Sequence, residues 1–349
     1  MTLFFRSFCL KVSSVVAFLL IFQVAGAQLD TASLSGLMEQ KVRQLKNNNV
    51  VLAMASKDTL VYKNDIKTFN VARGQGGAGY ISQLFTTAVV LMLAEEGKFG
   101  LDDKIVQYLP EYARYGKNYI TIRHCLTNFT GIQVPSKMAF FEKSRHGSLE
   151  EEANSYAAKE IQTNPGTESR WSERGFAIAA RICEVVTKKK FEMLASQRLF
   201  RALGMRSTSF NTLDGSLANP NYGARTSAAD LVLFGRMLLN GGKLNGATVL
   251  SEASVKELRR ISAVSADIKG APKDLAAYDY AMGAWALESN GGTAGSLAAP
   301  SFGGTVLVVD FCRGYTFAYL MKELEEEKKG NMMADIKATL DGGRELHCK

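Results

Sequence analysis

The 349-residue chain is sparing with the residues that announce many chemistries: six prolines, five cysteines, three histidines and two tryptophans. No two histidines stand at metal-ligand spacing. Outside the first 27 residues the cysteines are Cys125, Cys183, Cys312 and Cys348, far apart and without a C-x-x-C pair, so neither a metal site nor a cofactor is expected. Buried free thiols are the expectation for Cys125, Cys183 and Cys312. A disulfide is open to an exported chain, but spacing does not say which pair would form it. The surplus of positive charge is +8 and scattered, and Lys188-Lys189-Lys190 is its only tight run. No basic stripe with interleaved aromatics exists, which excludes a nucleic-acid partner. Gly74-Gln-Gly-Gly-Ala-Gly79 leads into a helical pattern, but Gly79-Tyr80-Ile81-Ser82 follows where a P-loop needs Gly-Lys-Ser/Thr, so it reads as a flexible approach loop.

A long apolar run occurs once, from Val12 to Val24, after Arg6 and Lys11 and before Ala25-Gly26-Ala27. A basic start, a short apolar stretch and small residues predict a signal peptide, residues 1–27, cut after Ala27. The product would be secreted or periplasmic, with no stable membrane span, and carries about +6 once Arg6 and Lys11 are gone. At 46% hydrophobic and 22% charged residues, the remaining 322 residues suffice for one large domain, 28–349.

Apolar positions Leu34, Leu37, Met38, Val42 and Leu45 predict a helix over 29–47, and the runs 50–55 and 59–62 predict a hairpin around Ser56-Lys57-Asp58. A helix is predicted from about Tyr80 to Glu96. Helices and loops then dominate to about Leu258, broken at Pro110, Pro135, Pro165 and Pro220. Strand patterns return at 282–287, 305–311 and 315–321, and a last amphipathic helix at 332–340. Strands at both ends with helices between them imply an α+β fold. An antiparallel sheet is flanked by terminal helices in one lobe (28–75 and 250–349), and a mainly helical lobe (76–249) is inserted in it.

Three stretches carry a resemblance. Phe85-Thr86-Thr87-Ala88, Leu93-Ala94-Glu95-Glu96-Gly97-Lys98, Leu101-Asp102-Asp103, Tyr108-Leu109-Pro110-Glu111 and Ile120-Thr121-Ile122-Arg123-His124-Cys125-Leu126-Thr127-Asn128-Phe129-Thr130-Gly131 form the first. Pro165-Gly166-Thr167 through Gly175-Phe176 to Phe200-Arg201-Ala202-Leu203-Gly204-Met205 form the second. Phe302-Gly303-Gly304-Thr305 through Asp310 and Gly314 form the third. Together they resemble the β-lactamase-related serine hydrolases, which include class C β-lactamases, penicillin-binding proteins, D-Ala-D-Ala carboxypeptidases and esterases. The resemblance implies a β-lactamase/transpeptidase-like fold.

It also implies chemistry that this chain has lost. The family places a serine at a helix N-terminus, a lysine three residues on and a facing tyrosine that relays the proton. Here the serine position falls on Tyr80 and the lysine position on Gln83. Trp171-Ser172-Glu173 stands for Tyr-x-Asn, and Ala299-Pro300-Ser301 for His/Lys-Thr/Ser-Gly. No serine anywhere is followed three residues later by lysine, and none sits in a G-x-S-x-G elbow. Ser82 is near the helix start but has Phe85 three positions on. Losing a nucleophile or base alone costs on the order of a million-fold in rate.

The expectation is therefore a pseudoenzyme that binds a small molecule, peptide or cell-wall-derived ligand, or a partner, in the old cleft. Its candidate ligand residues are Tyr80, Gln83, Trp171, Glu173 and Ser301. Trp171 and Tyr80 offer stacking surface, although they could instead fill a collapsed cleft. The alternative is a hydrolase of esters, amides or peptides with non-standard residues, Glu173 as base or Tyr80 as nucleophile. Glu173 could equally pair with Arg170 or Arg174, or face solvent.

Overall fold

The computed structural model describes residues 31–44, 50–66, 75–133, 146–172, 174–211, 219–301, 304–321, 332–342 and 347–348. Residues 1–30, among them the predicted signal peptide, and Glu173 and Phe302-Gly303 lie outside the described residues. In chain order the main elements are helix α1 (Thr31–Gln44), strands β1 (Val50–Ser56) and β2 (Leu60–Ile66), and helices α2 (Ile81–Glu95), α3 (Arg174–Thr187), α4 (Ala228–Leu239) and α5 (Glu252–Arg259). Strands β3 (Asp279–Tyr280), β4 (Trp285–Asn290), β5 (Thr293–Pro300), β6 (Thr305–Asp310) and β7 (Tyr315–Met321) follow, and then helix α6 (Met332–Asp341).

The seven strands form one antiparallel sheet in the order β2-β1-β7-β6-β5-β4-β3. First and last strands meet in the middle, with Val50 opposite Met321 and Ser56 opposite Tyr315. Alternation along them sorts side chains onto two faces. Val50, Leu52, Met54, Tyr315, Phe317, Tyr319 and Met321 pack with Leu34 and Met38 of α1 and with Met332, Ile336 and Leu340 of α6. The opposite face is small, with Ala53, Ala55 and Ala318, and joins the core of the helices. There α4 approaches closely. A Cβ added to Gly235 would come within 2.1 Å of Thr316 Oγ1, so glycine sets the spacing of helix and sheet.

Helix α2 runs through the interior of the helical layer. Residues 81–93 are all buried, the signature of a helix apolar around its whole circumference. Gly97, at φ +69°, ends it, and Lys98 N–H returns to Leu93 O.

The helix and hairpin at the start, the strands at 305–310 and 315–321 and the last helix fall where the periodicity places them. Strand 282–287 is shifted to 285–290. Strands β3 and β5 carry no alternating signal. Cys312 corrects the expectation of free thiols: it is disulfide-bonded to Cys348, with Cα atoms 4.3 Å apart. Cys125 and Cys183 are free and buried, and burial pushes both thiols well above their ordinary range. No helix among the described residues is long and apolar enough to cross a membrane.

Candidate functional site

The positions that correspond to the family's serine and lysine, Tyr80 and Gln83, lie at the start of α2. The chain reaches it through Gly76-Gly77, which pair with Arg225-Thr226, and through Gly79 at φ +51°. A Cβ on Gly79 would lie 1.8 Å from Ser301 Oγ. Only glycine allows the turn at the end of β5 to seat against the approach to the helix. Ser301 is half-buried, its N–H donating to Thr305 O at 2.8 Å.

Tyr80 occupies the N-cap in helical conformation (φ −66°, ψ −7°), with no side-chain cap bond. The amides after it turn inward: Ile81, Ser82 and Gln83 N–H donate to the carbonyls of Ala78, Gly79 and Tyr80 at 3.2, 2.9 and 3.0 Å. Ser82 is fully buried, and its Oγ accepts from Ala224 N–H at 3.1 Å. Its hydroxyl is thereby engaged with the 219–224 loop.

Gln83, at 2% exposure, accepts at Oε1 from the Tyr280 hydroxyl at 3.1 Å. Its Nε2 has no hydrogen-bond partner among the described residues. Tyr280 comes from edge strand β3. Its phenol also meets the Asn128 side chain and the Gly283 N–H, but burial outweighs both and drives its pKa far up. The phenol is therefore a neutral donor at any physiological pH. A carboxamide and a neutral phenol supply no proton acceptor to activate a nucleophile.

Asn128 links this pair to the second motif. It holds φ +64°, a conformation that asparagine tolerates better than most residues, and its Oδ1 accepts from Ser172 N–H at 3.2 Å. Trp171 N–H bonds Lys269 O at 2.9 Å, beside the short parallel pair Ser169-Arg170 and Ile268-Lys269. The Trp171 ring lies edge-on to Tyr80, with centroids 4.7 Å apart at 69°. Trp171, Tyr280 and Trp285 form a buried cluster with Ala263, Ile268 and Leu275, against which Tyr80, Phe129 and Tyr278 also pack.

Of the candidate residues, Tyr80, Trp171, Gln83 and Ser301 thus gather around one helix end. Ala299 does not join them. It pairs with Leu307 and faces the buried core between sheet and helices. Glu173 lies outside the described residues, although Ser172 Oγ beside it accepts from Arg174 N–H at 3.2 Å. Tyr280 and Asn128 were missed by the sequence. A lone Tyr in a two-residue strand leaves no pattern, whereas Asn128 sits inside a recognisable motif. Beyond the aromatic cluster a cavity of about 460 Å³ opens, lined by Phe129, Thr167–Ser169, Ser262–Val264, Asp267 and Lys269.

The fold is that of β-lactamases, penicillin-binding proteins and related esterases. Residues 81–340 match the Beta-lactamase family model, and the chain belongs to that family. It is similar to Protein flp of Staphylococcus aureus, 26% identical over 132 residues. That stretch is 37% of this chain but only 26% of the relative, so the likeness spans about a quarter of the relative's length. Among solved structures, the chain resembles EstCE1, a hydrolase with promiscuous acyltransferase activity (TM-score 0.74, 17% identity, 89% of this chain and 99% of that one). It also resembles a penicillin-binding protein homologue from Caulobacter crescentus (TM-score 0.71, 14% identity, 87% and 97%).

Proposed function

We propose that this is an exported, non-acylating member of the beta-lactamase family that binds its ligand without covalent chemistry at the mouth of the old cleft. One observation carries the reading. At the lysine position Gln83 is buried and hydrogen-bonded to the neutral Tyr280, so neither of these two residues supplies a base to the position where a nucleophile would stand. Tyr80, at the serine position, packs edge-on against Trp171, which supports non-covalent use of the cleft rim.

Incubation of the purified protein with a fluorescent penicillin and with a fluorophosphonate probe tests the reading. Neither is expected to leave an adduct detectable by intact mass. A stoichiometric adduct that disappears in Ser82→Ala overturns it. The competing reading, hydrolysis with Glu173 as base, requires turnover of an ester, amide or β-lactam panel that falls at least a hundredfold in Glu173→Gln.

A further inference from the structure

Lys188-Lys189-Lys190, the one tight basic run of the sequence, occupies a turn that the fold makes under strain. Helix α3 ends at Thr187, and the Lys188 N–H closes it by donating to Glu184 O at 2.8 Å. This closure needs a residue in the left-handed conformation, and Lys188 supplies it at φ +58°. Glycine adopts that conformation freely and asparagine tolerates it, whereas a long side chain is strained there. Every other left-handed position among the described residues is glycine or asparagine. A backbone outlier kept in place of the residue that would relieve it points to a use for the side chain.

The chain then enters a second helical stretch, Phe191–Leu194 continued by Ala195–Phe200, and burial sorts it into two faces. Phe191, Leu194, Ala195, Leu199 and Phe200 are buried in the core. Met193, Gln197, Arg198 and Arg201 point outward, and Lys188, Lys189, Lys190 and Arg206 on either side of them are exposed too. No exposed acid stands between residues 188 and 206, where the single carboxylate, Glu192, is half-buried. Arg198 pairs with Glu96. The other five cations have no carboxylate partner among the described residues, although ion pairs are common elsewhere on this surface, as in Arg114–Glu111 and Arg260–Glu257.

A surface of this kind encloses nothing, so it selects negative charge spread over an area and not a single ion. Met193 narrows the partner further. It is 46% exposed and shares a stripe with Lys190, Gln197 and Arg201, at spacings of three and four residues. A thioether gains nothing against a hydrated polyanion, but it is favoured where negative headgroups lie over acyl chains. We infer that the outward face of residues 188–206 docks the protein peripherally on an anionic phospholipid surface. The five cations lie over the headgroups, and Met193 enters the boundary between headgroups and chains. The other side of the stretch stays in the core, so no part of the fold has to open. The inference goes beyond the non-acylating reading and does not depend on it.

Cosedimentation of the purified full chain with vesicles tests it, using phosphatidylcholine alone or with about a third phosphatidylglycerol, at about 50 and about 300 mM salt. The quantity read is the ratio of anionic to neutral binding, which an apolar leader attached to the chain does not raise. A clear preference for anionic vesicles is expected at the lower salt and should largely vanish at the higher. Each cation contributes about fivefold, so the double variant Lys189→Gln/Lys190→Gln should lose about twenty-five-fold and Arg201→Gln about fivefold. Lys188→Gly should also lose about fivefold while melting at or above the wild-type temperature, so its lost binding is not lost folding. Met193→Ser should weaken vesicle binding about threefold and leave binding to soluble polyphosphate unchanged. Absence of any anionic preference at the lower salt overturns the inference, as does a preference that survives both Lys189→Gln/Lys190→Gln and Arg201→Gln. Polyphosphate binding as tight as vesicle binding, with Met193→Ser affecting neither, overturns it in favour of a hydrated polyanion.

Discussion

Glu152 shows how much chemistry this fold keeps away from the α2 terminus. It is buried at 4% exposure and accepts from Tyr156 OH at 2.8 Å and from Asn219 Nδ2 at 3.0 Å, yet its Oε2 has no partner among the described residues. Burial outweighs the two hydrogen bonds and raises its pKa. An acid whose native pKa is raised contributes stability that is complete below its unfolded value near 4.3 and is lost as pH rises through the native one. Glu152→Gln, which keeps an acceptor and never ionises, should therefore melt several degrees higher than wild type at pH 8, with the difference closing as the pH falls to about 4. Thermal denaturation across that range checks it. At the same scale, Tyr80 and Gln83 were legible because the framework after them fixes the register. The Tyr280–Gln83 bond joins residues 197 apart in sequence, and neither residue type signals such a partner.

Elements differ in how openly they declare themselves. Strands β6 and β7 are β-branched or aromatic and could be read directly. Strand β5, Thr-Ala-Gly-Ser-Leu-Ala-Ala-Pro, reads as a loop by propensity, and it becomes a strand because it is buried between β4 and β6. Helix α6 was legible from its apolar face, but its attachment was not. Lys337 Nζ lies 3.0, 2.9 and 2.7 Å from carboxylate oxygens of Glu288, Asp310 and Asp341, and Arg313 Nη1 bridges Glu288 and Asp310. Asp310 is fully buried, so the network is what makes its charge tolerable. Burial lowers the Lys337 pKa, but Asp341, Asp310 and Glu288 together raise it beyond its usual range. The lysine nitrogen fills the space among these carboxylates that could otherwise suit a cation. Lys337→Met should cost about 3 kcal/mol, measured by urea unfolding, because it leaves the buried carboxylates short of a cation.

Across the whole molecule, the fold class and the order of elements were legible, because helix and hairpin at one end and strands and helix at the other demand a common sheet. Tertiary closure was not, and Cys312 is the example: Cys348 reaches it only after 36 residues that carry helix α6 across the sheet. Closing a loop of that size stabilises by about 2–4 kcal/mol. Reduction with dithiothreitol, or Cys312→Ser with Cys348→Ser, should lower the unfolding free energy by that amount while leaving the far-UV circular dichroism unchanged. The central pairing of β1 with β7 has a kinetic corollary. Val50 can pair with Ile66 of β2 early, but a ribosome must deliver residue 321 before it can meet its partner on β7, so the sheet closes at its middle only late in synthesis. Most contacts that define the core are long in sequence, and such chains fold slowly with sticky edges showing. The middle of the sheet therefore stays open until the last strand arrives.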